Sequence, residues 1–255
     1  MDLCLTDRRV LVCGASRGLG AAVARALAAE GAHIAVASRG SEDLQSVAAD
    51  VNGTAIAADL STADGPASAV RDAVAALGGL DGLLVNSGGP PPGVFDGTDE
   101  EAWRKAIDGT LLSTIRLVRE ALPHLREGRD PSIAIILSSS VREPIPGLLT
   151  SNVIRPGLAG LIKTLVTEIA PIRINGLAPG RFGTGRIREL DAKRAADSGT
   201  TPDEIARQTI ARIPLGRYGD PEELGRVAAF LLSPAASYLT GAIVPVDGGM
   251  IKSLP

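Results

Sequence analysis

Aromatic side chains are nearly absent from this chain: Phe, Trp and Tyr together make up 2% of its 255 residues. A core must therefore be assembled from Ala, Val, Leu and Ile, as in parallel sheets buried on both faces. Hydrophobic residues, at 45%, suffice for that. Cysteine is also scarce. Cys4 and Cys13 match no zinc or redox spacing, which argues against a disulfide framework or metal site and for a reducing, cytoplasmic setting. Basic residues do not outnumber acidic ones; the formal charge is −3 with both signs interspersed, so no basic stripe points to nucleic acid. No apolar run approaches the ~20 residues of a membrane span. Residues 1–7 lack the basic stretch and apolar run of a cleaved signal. The length allows one large α/β domain or two small ones.

What is present is alternation. Short β-branched runs at 10–13, 33–38, 54–57, 82–86, 133–138, 172–177 and 243–246 read as strands. Ala/Leu/Arg segments of helical period at 18–30, 42–50, 64–77, 99–126, 152–169 and 220–232 read as helices. With no linker or repeat interrupting the series, one domain over residues 1–255 is expected: a doubly wound, Rossmann-type parallel sheet of about seven strands. The polar, Arg- and Asp-rich stretch 181–215 breaks the rhythm. Because open parallel sheets bind ligands beyond the carboxyl ends of their strands, it reads as a substrate lid, with a pair of solvated surface helices as the alternative.

The segment Gly14-Ala15-Ser16-Arg17-Gly18-Leu19-Gly20 stands between a strand and a helix. Its glycines allow a tight turn and close approach to a pyrophosphate, whose charge would face a helix N-terminus. The second strand ends in Ser38-Arg39, where an acid would hold the ribose 2′-hydroxyl of NAD. An Arg there, together with Arg17, suits a 2′-phosphate instead. The expected cofactor is NADP(H).

The chain resembles the classical short-chain dehydrogenase/reductase family over essentially its whole length. Besides the glycine turn, Asp59-Leu60 resembles the acidic pair that contacts adenine. Asn86-Ser87-Gly88-Gly89 resembles the family's Asn-Asn-Ala-Gly element. Pro179-Gly180 followed by Thr184 resembles the segment that holds the nicotinamide amide and pyrophosphate. Tyr238-Leu239-Thr240-Gly241 and Val246-Asp247-Gly248-Gly249 resemble the C-terminal strand region. The resemblance implies a carbonyl or alcohol substrate, and a homodimer or tetramer assembled through the helices at 99–126 and 152–169 and the last strand. The helix at 99–126 carries Ile107, Leu111, Thr114, Ile115, Val118 and Leu122 at helical spacing, a stripe that equally fits a core face.

Three of the family's four catalytic positions are lost. Carbonyl reduction needs a proton near neutral pH, and the family supplies it with a Tyr whose pKa is lowered by a Lys four residues on. Counting forward from the serine segment 138–140, the Tyr slot falls on Val153 or Ile154 and the Lys slot on Gly157 or Leu158. The family's Asn position falls on Thr110. The serine is expected to be Ser140, with Ser139 as the alternative. Tyr218 and Tyr238 lie far downstream and read as packing residues. Lys163 reads as solvated. Arg155 is the charged residue nearest the vacated slots, and Asn152 could bond a carbonyl or cap the helix. The segment Ser151-Asn152-Val153-Ile154-Arg155 resembles a divergent branch of the family with Ser-Asn-x-x-Arg where the Tyr should be.

The candidate catalytic residues are thus Ser140, Asn152 and Arg155. The candidate cofactor residues are Gly14, Ser16, Arg17, Gly18, Leu19, Gly20, Ser38, Arg39, Asp59, Leu60, Asn86, Ser87, Gly88, Pro179, Gly180 and Thr184; no metal is expected. Three functions compete: an NADP(H)-dependent oxidoreductase with a rearranged proton path, a catalytically silent cofactor-binding regulator or partner subunit, and a lyase or isomerase on the same fold.

Overall fold

The alternation seen in the sequence is realised along nearly the whole chain. The computed structural model describes residues 2–253. Its strands are β1 (Arg9–Cys13), β2 (His33–Ser38), β3 (Thr54–Ala57), β4 (Gly82–Val85), β5 (Ser132–Ile136), β6 (Arg173–Pro179) and β7 (Ile243–Val246). They form one parallel sheet in the order β3-β2-β1-β4-β5-β6-β7. The order reverses between β1 and β4, which opens a crevice at their carboxyl ends. The helices are α1 (Gly18–Ala29), α2 (Glu42–Asp50), α3 (Gly65–Leu77), α4 (Glu100–Ala106), α5 (Ser113–Arg126), α6 (Leu149–Glu168), α7 (Gly185–Ser198), α8 (Pro202–Ile210) and α9 (Pro221–Leu232).

Strand periodicity divides each strand between two cores. Val10, Val12, Ile34 and Val36 pack with α1, α2 and α9 through Leu27, Leu44 and Leu224. Leu11, Cys13, Ala35 and Ala37 pack with α3, α5 and α6 through Val70, Leu117 and Leu158. Both faces are buried, so the strands read as unbroken apolar runs. Among the aromatics, Phe182 alone is buried among the described residues. Cys13 lies inside the second core, where burial pushes its thiol up to about 12, and neither cysteine is paired. No helix among the described residues is long and apolar enough to cross a membrane.

The sequence expectations need three adjustments. Helix α6 begins at Leu149, three residues early, because the chain before it is pinned: Gly93 N–H donates to Gly147 O (2.8 Å) and Leu149 N–H to Gly93 O (3.2 Å). The expected helix 99–126 is α4 and α5 joined by a π turn, Ile107–Leu112, in which Gly109 eases the departure from α geometry. The stretch 181–215 contains two helices, α7 and α8. Each is capped by a threonine: Thr184 Oγ1 accepts from Ile187 N–H, and Thr201 Oγ1 from Glu204 N–H.

At the amino ends of the strands, opposite the crevice, sits a polar staple. Asp81 is fully buried. Its carboxylate accepts from Arg9 N–H (2.9 Å), Arg9 Nε (3.0 Å), Arg9 Nη2 (2.8 Å) and Arg129 N–H (2.7 Å). Nearby, the buried Arg173 donates to Leu231 O (2.8 Å) and Ser233 O (2.9 Å). These are carbonyls that the end of α9 leaves without a helical partner.

Candidate active site

The glycine turn joins β1 to α1 at the edge of the crevice. Gly14 has φ +60°, and a Cβ there would lie 2.1 Å from Asn86 O. Gly20 is equally constrained, its Cβ meeting Gly14 O at 2.3 Å. Asn86 Nδ2 donates to Gly14 O (3.0 Å), tying the end of β4 to the turn. Helix α1 starts without a side-chain cap, and its first turn carries no acid. Its N-terminal amides and dipole are therefore open to an anion.

The other candidate cofactor residues surround this end. Ser16 and Leu19 are half-buried in the turn, and Arg17 is exposed. Gly18 faces Thr184 at the start of α7, with 3.5 Å between its would-be Cβ and Thr184 Cγ2. Arg39 is exposed at the end of β2, after Ser38, whose hydroxyl donates to Arg39 O. Asp59 Oδ1 accepts from Ser61 N–H (3.0 Å) and Ser61 Oγ (2.7 Å). Those bonds, aided by the Arg39 charge, lower its pKa. Leu60 is half-buried beside it. Ser87 is buried with its hydroxyl unpartnered, and Gly88 is open. Pro179 ends β6, and Gly180 N–H donates to Val246 O (2.9 Å). These residues fit a bound dinucleotide: an uncapped helix end, two exposed guanidinia and a buried hydroxyl without a partner.

The candidate reaction end lies where β4 and β5 meet α6, and here the count along the sequence is corrected. Val153 is 55% exposed and Gly157 faces outward, whereas Ile154 and Leu158 are locked in the core. None of them faces the serine. The residue that does is Ser151, whose Oγ lies 3.4 Å from Ser140 Oγ, both groups buried. One turn further, on the same buried face, is Arg155. Ser151 and Arg155 thus have the spacing of the family's Tyr and Lys, and Ser140 rather than Ser139 is the serine paired with them. The count went astray because the 141–148 connection is shorter than it assumed.

Arg155 is 5% exposed. Its Nη1 donates to Ile136 O at the end of β5, and its Nε has no partner. Burial alone pulls its pKa down to about 10, with no carboxylate offsetting it. It remains a cation at neutral pH, and no acid among the described residues pairs with it. Unpartnered buried hydroxyls of Ser87, Thr150 and Ser113 lie on β4's carboxyl end, α6 and α5. Thr110, at the family's Asn position, is carried by the π turn; its Oγ1 reaches Gly88 O at 3.5 Å.

Asn152 does bond a carbonyl, but a backbone one ahead of its own helix. Its Nδ2 donates to Ile145 O (2.9 Å) and its Oδ1 accepts from Ile145 N–H (3.0 Å). It clamps the loop ahead of α6 and neither faces Ser140 nor caps a helix. Asn152→Ala should cost about 1–2 kcal/mol for two lost hydrogen bonds and open residues 142–148 to protease. Limited proteolysis with a urea melt checks this, and an unchanged cleavage pattern would refute the clamp.

The tyrosines do not serve this centre. Tyr218 Oη donates to Asp191 (2.7 Å), fastening α7 to the segment before α9, and its pKa is raised by burial and by that bond. Tyr238 is not a packing residue, for its side chain lies wholly in solvent. Lys163 is exposed. Among the described residues no cluster of His, Cys, Asp and Glu suits a metal ion.

Comparison with known proteins agrees with this architecture. A family model described as Enoyl-(Acyl carrier protein) reductase matches residues 14–251. The human Dehydrogenase/reductase SDR family member 4 is 32% identical over 254 residues, covering 96% of this chain and 88% of that protein. L-Sorbose reductase from Gluconobacter frateurii, solved with NADPH and L-sorbose, superposes with a TM-score of 0.94 at 28% identity, each chain covered in full. An NADPH-bound short-chain oxidoreductase of Pseudomonas aeruginosa PAO1 with an atypical catalytic centre gives a TM-score of 0.86 at 28% identity, covering 98% of this chain and 100% of the other. A family model that matches nearly the whole chain, together with a relative 32% identical over 96% of it, leaves one assignment: the chain belongs to the short-chain dehydrogenase/reductase family.

Proposed function

We propose that this protein is an NADP(H)-dependent oxidoreductase that acts on a carbonyl or alcohol substrate by a proton path other than the family's Tyr–Lys pair. The observation that carries this reading is the buried Ser140–Ser151 pair with the uncompensated Arg155 one turn further along the same buried helix face. A protein that merely stored a cofactor would have no need of a buried, unpaired cation one turn from two buried hydroxyls, since such a charge is costly. Similarity to reductases solved with NADPH supports the cofactor.

The nicotinamide would supply or accept hydride; the chain's own groups do the rest. Arg17 and Arg39 would meet the 2′-phosphate in fork geometry, the amides opening α1 the pyrophosphate, and Ser87, Pro179–Gly180 and Thr184 the nicotinamide half. Ser140 and Ser151 would bond the substrate oxygen, and Arg155 would hold positive potential behind them. Arg is not a proton donor, so the proton reaches the product from elsewhere.

Residues 181–215 act in this reading as the lid. Two contacts support it. Arg186 Nη2 donates to Pro90 O (2.7 Å) across the crevice, and Glu189 stands 4.0 Å from Arg17 of the glycine turn. A homo-oligomer is also proposed, on the half-exposed Ile107, Leu111, Ile115 and Leu122 stripe and the outward Val153.

The test is a fluorescence titration with NADPH and then NADH. NADPH should bind about tenfold or more tighter, a step of ~1.4 kcal/mol, and Arg39→Ser should erase most of the difference. Equal affinities would remove the 2′-phosphate reading; binding of neither would remove the oxidoreductase.

A further inference from the structure

Helix α7 turns two charged residues toward the crevice, Arg186 to Pro90 and Glu189 to Arg17. Arg194 stands just over two turns beyond Arg186, about 12 Å farther along the helix at the usual rise. There α7 packs on α8, and an open-mouthed cavity of about 230 Å³ is lined by Arg194, Ile205, Gln208, Thr209 and Arg212. No residue of the glycine turn, the strand ends or the Ser140–Ser151 site takes part in it. Its charged groups are all of one sign. Arg194 and Arg212 are exposed, and neither has an ion-pair partner among the described residues. The acids nearby in the chain are engaged elsewhere. Glu204 accepts from Gln208 Nε2 (2.9 Å) and pairs with Arg207, and Asp191 accepts from Tyr218 Oη (2.7 Å). The half-buried Arg181 adds to the positive field: burial lowers its pKa, the Arg194 charge lowers it further, and Asp191 opposes both.

Such a wall attracts an anion, and its chemistry narrows which one. Guanidinium forks match the oxygens of phosphate and carboxylate. Two forks from different segments, with the second amide hydrogen of Gln208, call for more acceptors than the two oxygens of one carboxylate. A phosphate monoester offers three oxygens and close to two charges. Ile205, itself buried, gives the cavity an apolar wall against which carbon can rest. The volume lies just under the ~300–1,000 Å³ of common small-molecule sites, which suits a phosphate bearing a few carbons and is too small for a dinucleotide. We propose that the α7–α8 cavity binds a small phosphate monoester, its phosphate held by Arg194 and Arg212 and its carbons against Ile205. The bound molecule fastens α7 to the end of α8 from outside the crevice. The site stands whether or not the chain is an oxidoreductase.

Glycerol 3-phosphate, titrated into the full chain by calorimetry, is the probe. The wild type should bind it, and Arg194→Gln and Arg212→Gln should each weaken binding about tenfold or more through the loss of charged hydrogen bonds. Both variants should melt with the wild type, because neither arginine is paired in the fold. Saturating NADPH should not displace the probe, which separates this cavity from the glycine turn, where any phosphate could also settle. Inorganic phosphate, without carbons for Ile205, and succinate, without phosphate, should bind more weakly. Protease cleavage at 199–201, between α7 and α8, should slow with the probe bound to the wild type and stay unchanged in Arg212→Gln. No binding, binding untouched by either Gln variant, or displacement by NADPH would overturn the proposal. So would inorganic phosphate or succinate binding as tightly as the ester, or cleavage indifferent to the bound probe. Failure to bind NADPH would end the oxidoreductase reading alone, and the Gln variants would still decide this one.

Discussion

Arg155→Met should give a protein that melts no lower than the wild type, yet turns over its substrate about 10²–10³-fold more slowly. The two halves have separate causes. In the free protein Arg155 is a buried cation whose pKa is depressed by burial with nothing acidic to offset it. Exchanging such a charge for an apolar side chain of similar length is often neutral or stabilising. The bond to Ile136 O is lost, worth about 1 kcal/mol, and relief of the buried charge offsets it. The catalytic half follows from the loss of a preorganised charge in a water-poor site, where removing a single donor typically costs about 10²–10³ in rate. Thermal melts with kinetics on the same preparations check both. A lower melting point together with full activity would place Arg155 in the scaffold, as a packing residue with a charge.

The second large effect lies at the far end of the sheet. Asp81→Ala should cost about 3–5 kcal/mol, the usual result of removing one member of a buried ion pair, from a total on the order of 5–15 kcal/mol. Burial pushes the Asp81 carboxyl upward, but the bonds from the Arg9 side chain and the Arg129 and Arg9 amides, with the Arg9 charge, outweigh it and hold the group well below the carboxylate range. A folded pKa below the unfolded value of about 3.9 means the contribution is complete above that value. It is lost as the pH falls toward the folded pKa. The gap between wild type and variant should therefore be widest at neutral pH and close as the solution is acidified. Urea melts at pH 7, 4 and 3 measure it, and a gap independent of pH would show that the staple acts by shape and not by charge.

The two ends of the molecule differ in how far they could be read from the sequence. The sheet, its seven strands and the glycine turn rest on local periodicity and on a turn that only glycines close, at Gly14 and Gly20, so the residues disclose them directly. The shared site of Ser140 and Ser151 is another matter. It depends on the length and path of the connection into α6, and these are set by Asn152 gripping Ile145 and by Gly93 pairing with Gly147 and Leu149. The Gly93 contacts join residues far apart in the chain and the Asn152 clamp tightens the loop locally, and a fixed count anticipates neither. Two signals pointed there: the resemblance of Ser151–Arg155 to a branch with Ser-Asn-x-x-Arg where the Tyr should be, and the four-residue spacing of Ser151 and Arg155, which puts both on one helix face. The Asp81 staple left no trace of that kind, since a lone Asp before a short strand looks like any loop acid.

The staple also bears on how such a chain can diverge. Asp81, Arg9 and Arg173 secure the amino ends of the strands and the end of α9, while the candidate site of Ser140 and Ser151 lies at the opposite ends of the same strands. Anchorage and reactivity are thus separated by the length of a strand. A lineage can exchange its proton donor for a serine and an arginine at one rim without loosening what keeps the other rim together, and so alter its reaction while inheriting its architecture unchanged.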